Sequence, residues 1–375
     1  MRKVILLLFI TLNMIAIRSF AISAKSAVLI DSASGRILYE HNAYEKMPMA
    51  STTKIMTGLL ACESGKLAKN VKTSAFASGT EGSSLWLKIG EKQTLEDLTY
   101  GLMLKSGNDA AVAIAEYLGG SVEAFALMMN QRAKEIGAEN TSFKNPHGLD
   151  AEEHFTTAYD LALIAREAMK NKIFRQIVST KTYSIPMEGE KWDRALKNHN
   201  KMLWRYDGCN GVKTGFTKKC GRCLVTSAKK GKEELICVTL NAPSDWSDHT
   251  KLLDYGFENY ENNVLYKKGE KVCDYTYDKK NAKKVSLVCE DGFSALLCKG
   301  ESLDSKIEFH KLKAPAKKGT VAATAHIFCN GKKIADIDLV TGAEIKAVTY
   351  VEKEKNKLKN LIHKLLYTVK KRRMA

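Results

Sequence analysis

Strand-forming patterns occur at both ends of the first 260 residues. Short apolar runs at 27–30 and 36–39 flank Gly35, and this arrangement predicts two strands joined by a turn. Runs rich in β-branched residues return at 223–227 and 235–240, separated by a Lys/Gly turn. The pattern therefore predicts one pair of strands early in the segment and another pair late in it.

Between these strands the apolar residues recur with the period of a helix. Ile55 and Leu59, and likewise Met56 and Leu60, predict a buried helix that begins at Ser51. Four more helices are predicted at 94–104, 109–120, 122–137 and 157–170, and they alternate with loops. Helices bracketed by strands are typical of an α+β domain whose sheet collects strands from both ends of the chain, which we place at 25–262.

The pattern changes again after this domain. Residues 263–350 contain short β-rich segments, and Asn330-Gly331 is a strong hairpin turn, so we predict a small all-β domain there. Residues 351–375 predict a basic amphipathic helix that lies in a membrane interface; the alternative is a terminal helix docked on the protein. Its apolar face would carry Leu358, Leu361, Ile362, Leu365, Leu366 and Val369.

The first 24 residues have the layout of a secretory signal peptide. A basic start is followed by an apolar stretch at 4–17 and by small residues at Ser19, Ala21 and Ala24. The apolar stretch is shorter than the roughly 20 residues that span a bilayer, although an uncleaved N-terminal anchor is the alternative. Both interpretations predict an exported protein that acts outside the cytoplasm, at the cell membrane or cell wall.

Charge indicates which classes of partner the protein can bind, and the cysteine content indicates whether it has disulfides or a metal site. The net charge of +17 would fit nucleic acid, but export argues against nucleic acid and favours an anionic membrane or wall surface. Nine cysteines are an odd number in a large chain, so we expect free, mostly buried thiols. Cys220 and Cys223 could form a redox pair or half of a zinc site, but no second ligand pair follows, and we predict neither metal nor cofactor.

Candidate chemistry begins with an S-x-x-K motif. Ser51 and Lys54 fall on the same face of the predicted helix, whereas Ser227 and Lys230, a second copy, fall on a predicted strand and point to opposite faces. An isolated S-x-x-K is weak evidence, because a serine at this position is also a good helix N-cap. Two further motifs change its interpretation: Ser106-Gly107-Asn108 before a helix, and Lys213-Thr214-Gly215 on the edge of a strand.

Together these motifs resemble those of the penicillin-recognising serine acyltransferases. From residue 27 to residue 260 the chain resembles the low-molecular-weight D-alanyl-D-alanine carboxypeptidases, the S11 peptidase family. The matching segments are MASTTKIMT, LMLKSGNDAAVAIAE, NPHGLD, TTAYDLALIAREAM, VKTGFT and LLDYGF. The resemblance implies a penicillin-binding-protein/β-lactamase-like fold, with an antiparallel sheet and a helical subdomain, followed by a small β domain and an amphipathic tail.

The residues themselves suggest an acyl-transfer mechanism. Ser51 supplies a hydroxyl nucleophile, and Lys54 can act as its general base if burial and a second cation, for which Lys213 is the candidate, keep it neutral. The resemblance implies that Ser106 relays a proton to the leaving D-alanine and that Asn108 orients Lys54 and the substrate. It also implies roles on the strand: Lys213 and Thr214 would hold the terminal carboxylate, Gly215 would let the substrate lie close, and the N–H groups of Ser51 and Phe216 would form the oxyanion hole.

Several positions depart from the family pattern. Many members carry an arginine near the substrate carboxylate in the segment that here spans 242–257, where this chain has Trp246, Asp248 and His249. Carboxylate recognition would then depend on Lys213 and Thr214, and the segment resembles the sporulation-associated branch of the family. Cys220 replaces the usual alanine after K-T-G, and we expect no change in chemistry.

The sequence predicts an exported serine D,D-carboxypeptidase that removes terminal D-Ala from peptidoglycan stem peptides and is acylated by β-lactam antibiotics. A class A-like β-lactamase is the alternative enzyme, but the loop with Glu152 and Glu153 lacks the E-x-x-x-N layout of that class. His147 is expected to be structural, because lysine fills the base role. A catalytically silent peptidoglycan-binding protein is the alternative from outside the enzymes.

Overall fold

The computed structural model describes residues 21–187, 189–278, 283–346, 358, 361 and 362. Its helices are α1 (Lys54–Glu63), α2 (Ala75–Ser78), α3 (Leu95–Tyr100), α4 (Asn108–Gly119), α5 (Val122–Ile136), α6 (Ala158–Lys170), α7 (Lys172–Ser179), α8 (Met202–Arg205) and α9 (Asp245–Asn259). The strands up to residue 240 are β1 (Ser26–Asp31), β2 (Ile37–His41), β3 (Asn70–Lys72), β4 (Lys92–Thr94), β5 (Thr182–Ile185), β6 (Arg194–Lys197), β7 (Cys209–Thr217), β8 (Gly221–Lys230) and β9 (Glu233–Leu240). Those beyond it are β10 (Glu261–Tyr266), β11 (Glu270–Asp278), β12 (Lys283–Cys289), β13 (Phe293–Leu297), β14 (Leu303–Phe309), β15 (Val321–Cys329) and β16 (Lys332–Thr341).

Strands from both ends of the first 240 residues form one antiparallel sheet, in the order β2-β1-β9-β8-β7. The sheet is a middle layer because its central strands are apolar on both faces. In β1, Val28 and Ile30 pack into the core beneath α1 and α6, whereas Ala27 and Leu29 pack into the core beneath α9. The K-T-G strand β7 is an edge strand, which leaves one row of its backbone groups unpaired within the sheet.

The helical segment between the strands follows the predicted pattern, with additions. Helices α3 to α6 occupy the predicted segments, and Thr94, Ser121 and Thr157 cap the N-termini of α3, α5 and α6. The expectation that only loops join these helices is wrong: the pairs β3–β4 and β5–β6 form two-stranded sheets here, and α7 follows α6 directly.

Between residues 261 and 346 the described chain contains strands and no helix. Strands β11, β12, β16, β15 and β14 form one sheet in that order, and β10 pairs with β13. Asn330 and Gly331 both have positive φ, 47° and 82°, as the tight turn between β15 and β16 requires. Leu287, Ile327 and Leu339 are buried at the centre of a separate apolar core.

The predictions for the cysteines and for the two ends of the chain can be compared with the described residues only in part. All nine cysteines are free thiols, six of them buried, as expected. The predicted signal peptide lies almost wholly outside the described residues. Of the predicted C-terminal helix only Leu358, Leu361 and Ile362 are described; they are helical and exposed.

A search of the described residues for membrane spans finds no single helix of sufficient length and apolarity. Helices α4 and α5 meet the length and composition criteria as a pair, but they are bent by 82°.

Candidate active site

Ser51 and Lys54 lie in a tight turn that leads into α1. The helix does not begin at Ser51 as predicted: residues Ala50–Thr53 form a 3-10 turn and the α-helix starts at Lys54. Lys54 Nζ lies 3.0 Å from Ser51 Oγ, so the two side chains still meet across one turn. Ser51 is not an N-cap residue here, because Met49 precedes the 3-10 turn and Thr53 precedes α1 in the N-cap positions.

Lys54 is fully buried and surrounded by oxygen atoms. Its Nζ lies 2.7 Å from Asn108 Oδ1 and 2.6 Å from the carbonyl oxygen of His147, in addition to Ser51. Burial holds the pKa of Lys54 well below its usual value, and the nearby Lys213 cation lowers this pKa further, while Asp109 acts in the opposite direction. Burial and Lys213 therefore both favour the neutral form of the Lys54 amine.

The S-x-N motif lies in the turn before α4. Ser106 has a left-handed backbone (φ 65°), and it follows a π-helical turn at Gly101–Lys105. Asn108 Nδ2 donates to the carbonyl of Glu81 at 2.6 Å, so the Asn108 amide bridges Lys54 and the loop around Glu81. Gly82 is required there, because a Cβ would lie 2.7 Å from Asn108 Nδ2.

One residue of this turn was missed by the sequence analysis. Asp109 is fully buried, and its carboxylate accepts hydrogen bonds from the backbone N–H groups of Leu85 and Leu87 and from Ser84 Oγ. It thereby fixes the loop that carries Glu81 against the start of α4. The only sequence signal was a carboxylate beside the motif at a helix N-terminus.

The K-T-G segment lies directly against the Ser51 turn. A Cβ on Gly215 would lie 3.1 Å from Met49 O and 3.2 Å from Ser51 N, so the glycine lets β7 pack onto this turn. Lys213 is buried, its Nζ donates to the carbonyl of Thr214 at 2.9 Å, and burial lowers its pKa to about 7. Phe216 is 64% exposed at the rim.

These elements surround a cleft of about 820 Å³. Four of the predicted side chains and the glycine line it: Ser51, Ser106, Thr214, Gly215 and Phe216. Five cationic residues also line it, namely Lys105, Lys197, Lys201, Arg205 and Arg222, together with Trp204 and Trp246. The cleft is therefore suited to an anionic ligand.

Two protein-family models match the chain. The family model described as D-alanyl-D-alanine carboxypeptidase matches residues 13–244. The chain belongs to this family. A second model, penicillin-binding protein 5, C-terminal domain, matches residues 260–347.

Relatives in this family align with most of the chain. D-alanyl-D-alanine carboxypeptidase DacF of Bacillus subtilis (strain 168) is 36% identical over 88% of this chain and 87% of its own. DacC of Escherichia coli (strain K12) is 34% identical over 85% and 84%. Penicillin binding protein 5 from Haemophilus influenzae superposes with a TM-score of 0.72 at 28% identity, over 87% of this chain and 98% of that one. The predicted α+β, penicillin-binding-protein-like fold is thus confirmed.

The segment that departs from the family pattern contributes two residues to the cleft lining, Asp245 and Trp246. Asp248 accepts hydrogen bonds from Ser23 instead, and His249 is buried between the hydroxyls of Thr226 and Thr239. Burial lowers the pKa of His249 to about 3, so this residue is a neutral structural histidine.

The loop residues considered as an alternative general base or as deacylating glutamates do not take part in the Ser51–Lys54 pair through their side chains. His147 contacts Lys54 through its backbone carbonyl, while its Nδ1 accepts from the N–H of Leu149; burial and the neighbouring Lys54 lower the pKa of its ring to about 3. Glu153 is exposed and pairs with Lys144, and Glu152 is exposed.

The second S-x-x-K copy does not form a comparable site. Ser227 is buried and donates to Glu234, whereas Lys230 is exposed. Its two side chains point apart, as predicted.

Proposed function

We propose that this protein is a serine D,D-carboxypeptidase that removes the terminal D-alanine from peptidoglycan stem peptides through an acyl-enzyme at Ser51. The observation that carries the proposal is the buried Lys54 amine, 3.0 Å from Ser51 Oγ in an anionic-ligand cleft. Ser51 Oγ attacks the carbonyl carbon of the penultimate D-Ala, its proton passes to Lys54, and the C–N bond breaks to release D-alanine. Water then hydrolyses the ester and regenerates Ser51.

The contacts of Lys54 favour its role as general base. A neutral amine has two N–H groups and one lone pair. If a neutral amine donates to Asn108 Oδ1 and to the His147 carbonyl, both N–H groups are used and its lone pair is left to accept the proton of the Ser51 hydroxyl, 3.0 Å away. Asn108 therefore orients the base. Ser106, which also lines the cleft, is assigned to return the proton to the leaving amine.

Strand β7 is assigned the residues that stabilise the oxyanion and bind the substrate carboxylate. Gly215 packs closely on the Ser51 turn, and we assign the N–H groups of Ser51 and of the next strand residue, Phe216, to the oxyanion hole. Loss of one such donor typically costs about 3 to 4 kcal/mol of transition-state stabilisation. Thr214 and Lys213 are assigned to the terminal carboxylate of the substrate.

Labelling with a fluorescent penicillin tests the proposal against both alternatives. The wild-type protein should be labelled covalently and the Ser51→Ala variant should not, whereas a silent peptidoglycan-binding protein would be labelled in neither form. The wild type should also release D-alanine from diacetyl-L-Lys-D-Ala-D-Ala. Rapid loss of the label without D-alanine release would instead identify a β-lactamase, for which the exposed, Lys144-paired Glu153 is a poor deacylating base.

We infer that the protein acts outside the cytoplasm. The family relationship and the nature of the proposed substrate, a cell-wall peptide, support this inference. A membrane surface bound by residues 351–375, export by residues 1–24, and a sporulation-associated role remain predictions from the sequence.

A further inference from the structure

The proposed substrate ends in a carboxylate, and the cleft must supply a cation for it. Lys213 alone is poorly placed to bind this carboxylate, because it is 1% exposed and its Nζ already donates to the carbonyl of Thr214. The segment 242–257 supplies no arginine. A different cleft residue is therefore needed to bind the end of the peptide.

Arg222 lies at the right place in the sheet. Its partner across β7 and β8 is Phe216, whose N–H we assign to the oxyanion hole. Cβ atoms of directly paired residues in antiparallel strands lie about 5 Å apart and on the same face, so the Arg222 side chain leaves the sheet beside Phe216. It lines the same cleft as Ser51 and Thr214.

The guanidinium of Arg222 is held in position by α9. Its Nε lies 3.0 Å from Asp245 Oδ2, and its central carbon is 5.8 Å from the centroid of the Trp246 ring. Asp245 is itself fixed, with a side chain that is 4% exposed and accepts from the N–H of Trp246. Since a guanidinium presents five N–H donors, an ion pair at Nε leaves the outer edge, Nη1 and Nη2, for a second carboxylate.

We propose that Arg222, oriented by Asp245 and Trp246, binds the terminal carboxylate of the leaving D-alanine and so restricts the enzyme to peptides with a free C-terminus. This inference rests on the proposed carboxypeptidase function. Segment 242–257 would thus contribute to carboxylate binding by holding an arginine of the neighbouring strand.

The other cleft cations are held less firmly. Within the described chain, Arg222 is the cleft-lining cation that is ion-paired with a buried carboxylate. Arg222 is itself 44% exposed, and Lys105, Lys201 and Arg205 are exposed too, so the ion pair with Asp245 is what distinguishes Arg222. Lys197 is placed over the ring of Trp204. A side chain that is already ordered loses less conformational entropy when it binds a ligand, which favours Arg222 as the specific receptor.

Two peptides that differ only at the C-terminus test the assignment. The probes are diacetyl-L-Lys-D-Ala-D-Ala and the same peptide ending in D-alaninamide, which lacks the carboxylate. Wild type should prefer the free acid. Arg222→Gln should lower kcat/KM for the free acid roughly 10- to 100-fold, mainly through KM, so that the preference falls toward one. Arg222→Lys should be intermediate because it keeps the charge but loses the two-pronged geometry.

The matched control is Arg205→Gln, which removes an exposed arginine from the same cleft and should leave most of the preference intact. Unchanged preference in Arg222→Gln, or its loss in Arg205→Gln alone, would overturn the assignment. Equal Tm values would show that the variants fold, and Arg222→Lys gives a second measurement if Arg222→Gln does not. Failure of the proposed function has a different signature: wild type would release neither D-alanine nor its amide.

Discussion

At the scale of single residues, the chemistry depends on how little water reaches two lysines. Lys54 is 0% and Lys213 1% exposed, and burial disfavours the charged form of each. The identity of these residues was readable from three short motifs, because the spacing of the motifs is typical of one class of acyltransferase. Their protonation was not readable, since it depends on packing around the two amines.

The pH dependence of acylation should report the coupling between the two lysines. Lys54 accepts a proton only when neutral, so acylation slows as pH falls through its pKa. Lys213, with a pKa of about 7, is cationic in the acid range and lowers the pKa of Lys54. Lys213→Gln removes this cation, so the acid limb of the rate profile should move to higher pH, and the rate at neutral pH should fall roughly 10- to 100-fold.

Stopped-flow measurement of fluorescent-penicillin acylation across the acid range provides the profile. Lys105→Gln, which removes a cleft cation that is not among the causes of the Lys54 shift, is the control and should leave the limb in place. A limb that stays fixed or moves to lower pH in Lys213→Gln would contradict the electrostatic coupling.

At the scale of secondary-structure elements, contact between loops positions the nucleophile. The turn after His147 touches the Ser51 turn at Gly148, whose φ is 91° and whose Cβ, if present, would lie 1.9 Å from Ala50 O. Gly148→Ala should therefore destabilise the protein by about 2 to 4 kcal/mol through backbone strain and overpacking, and should slow penicillin acylation by displacing Ser51. Urea unfolding and acylation rates measure the two effects.

The control variant Gly137→Ala introduces the same kind of backbone strain as Gly148→Ala but no steric clash. Gly137 ends α5 with φ 86°, yet a Cβ there would meet nothing within 4 Å. Gly137→Ala should therefore lower the free energy of unfolding by about 1 to 2 kcal/mol and leave the acylation rate unchanged. Equal losses of stability and of acylation in the two variants would show that the Gly148 contact does not position Ser51.

The elements themselves were predictable to differing degrees. Helices α4 to α6 and strands β8 and β9 follow from sustained apolar patterns, because each buries a continuous face. The four-residue strands β5 and β6 each bury one residue, Ile185 and Leu196, which is too short a pattern to predict them. The place of Arg222 beside Phe216 depends on the register of β7 with β8, and the spacing of the two residues in the chain does not indicate that register.

At the scale of the whole molecule, the N-terminal hairpin joins the catalytic sheet to the C-terminal β structure. Arg36 Nη1 donates to the carbonyl of Leu296 at 2.6 Å, and Arg36 forms a salt bridge with Glu301 in which the two side chains are only 13% and 18% exposed. Asp31 accepts from the N–H of Leu296. The expected order of domains gave no indication of this contact, which links residues about 265 positions apart in the chain.

Replacing Arg36 should weaken this link without affecting the cleft, which it does not line. Arg36→Met removes the Arg36 contacts of Glu301 and of the Leu296 carbonyl and leaves Glu301 only its bond from the Cys298 N–H, so we expect a loss of about 2 to 4 kcal/mol in the stability of the C-terminal β structure. Limited proteolysis at increasing urea should cut residues beyond 260 earlier than in wild type, while penicillin still labels Ser51. The exposed pair Lys268–Asp291 provides the control, because Lys268→Met should change stability by less than about 0.5 kcal/mol. If both variants resist proteolysis equally, the Arg36 contacts do not hold the two parts together.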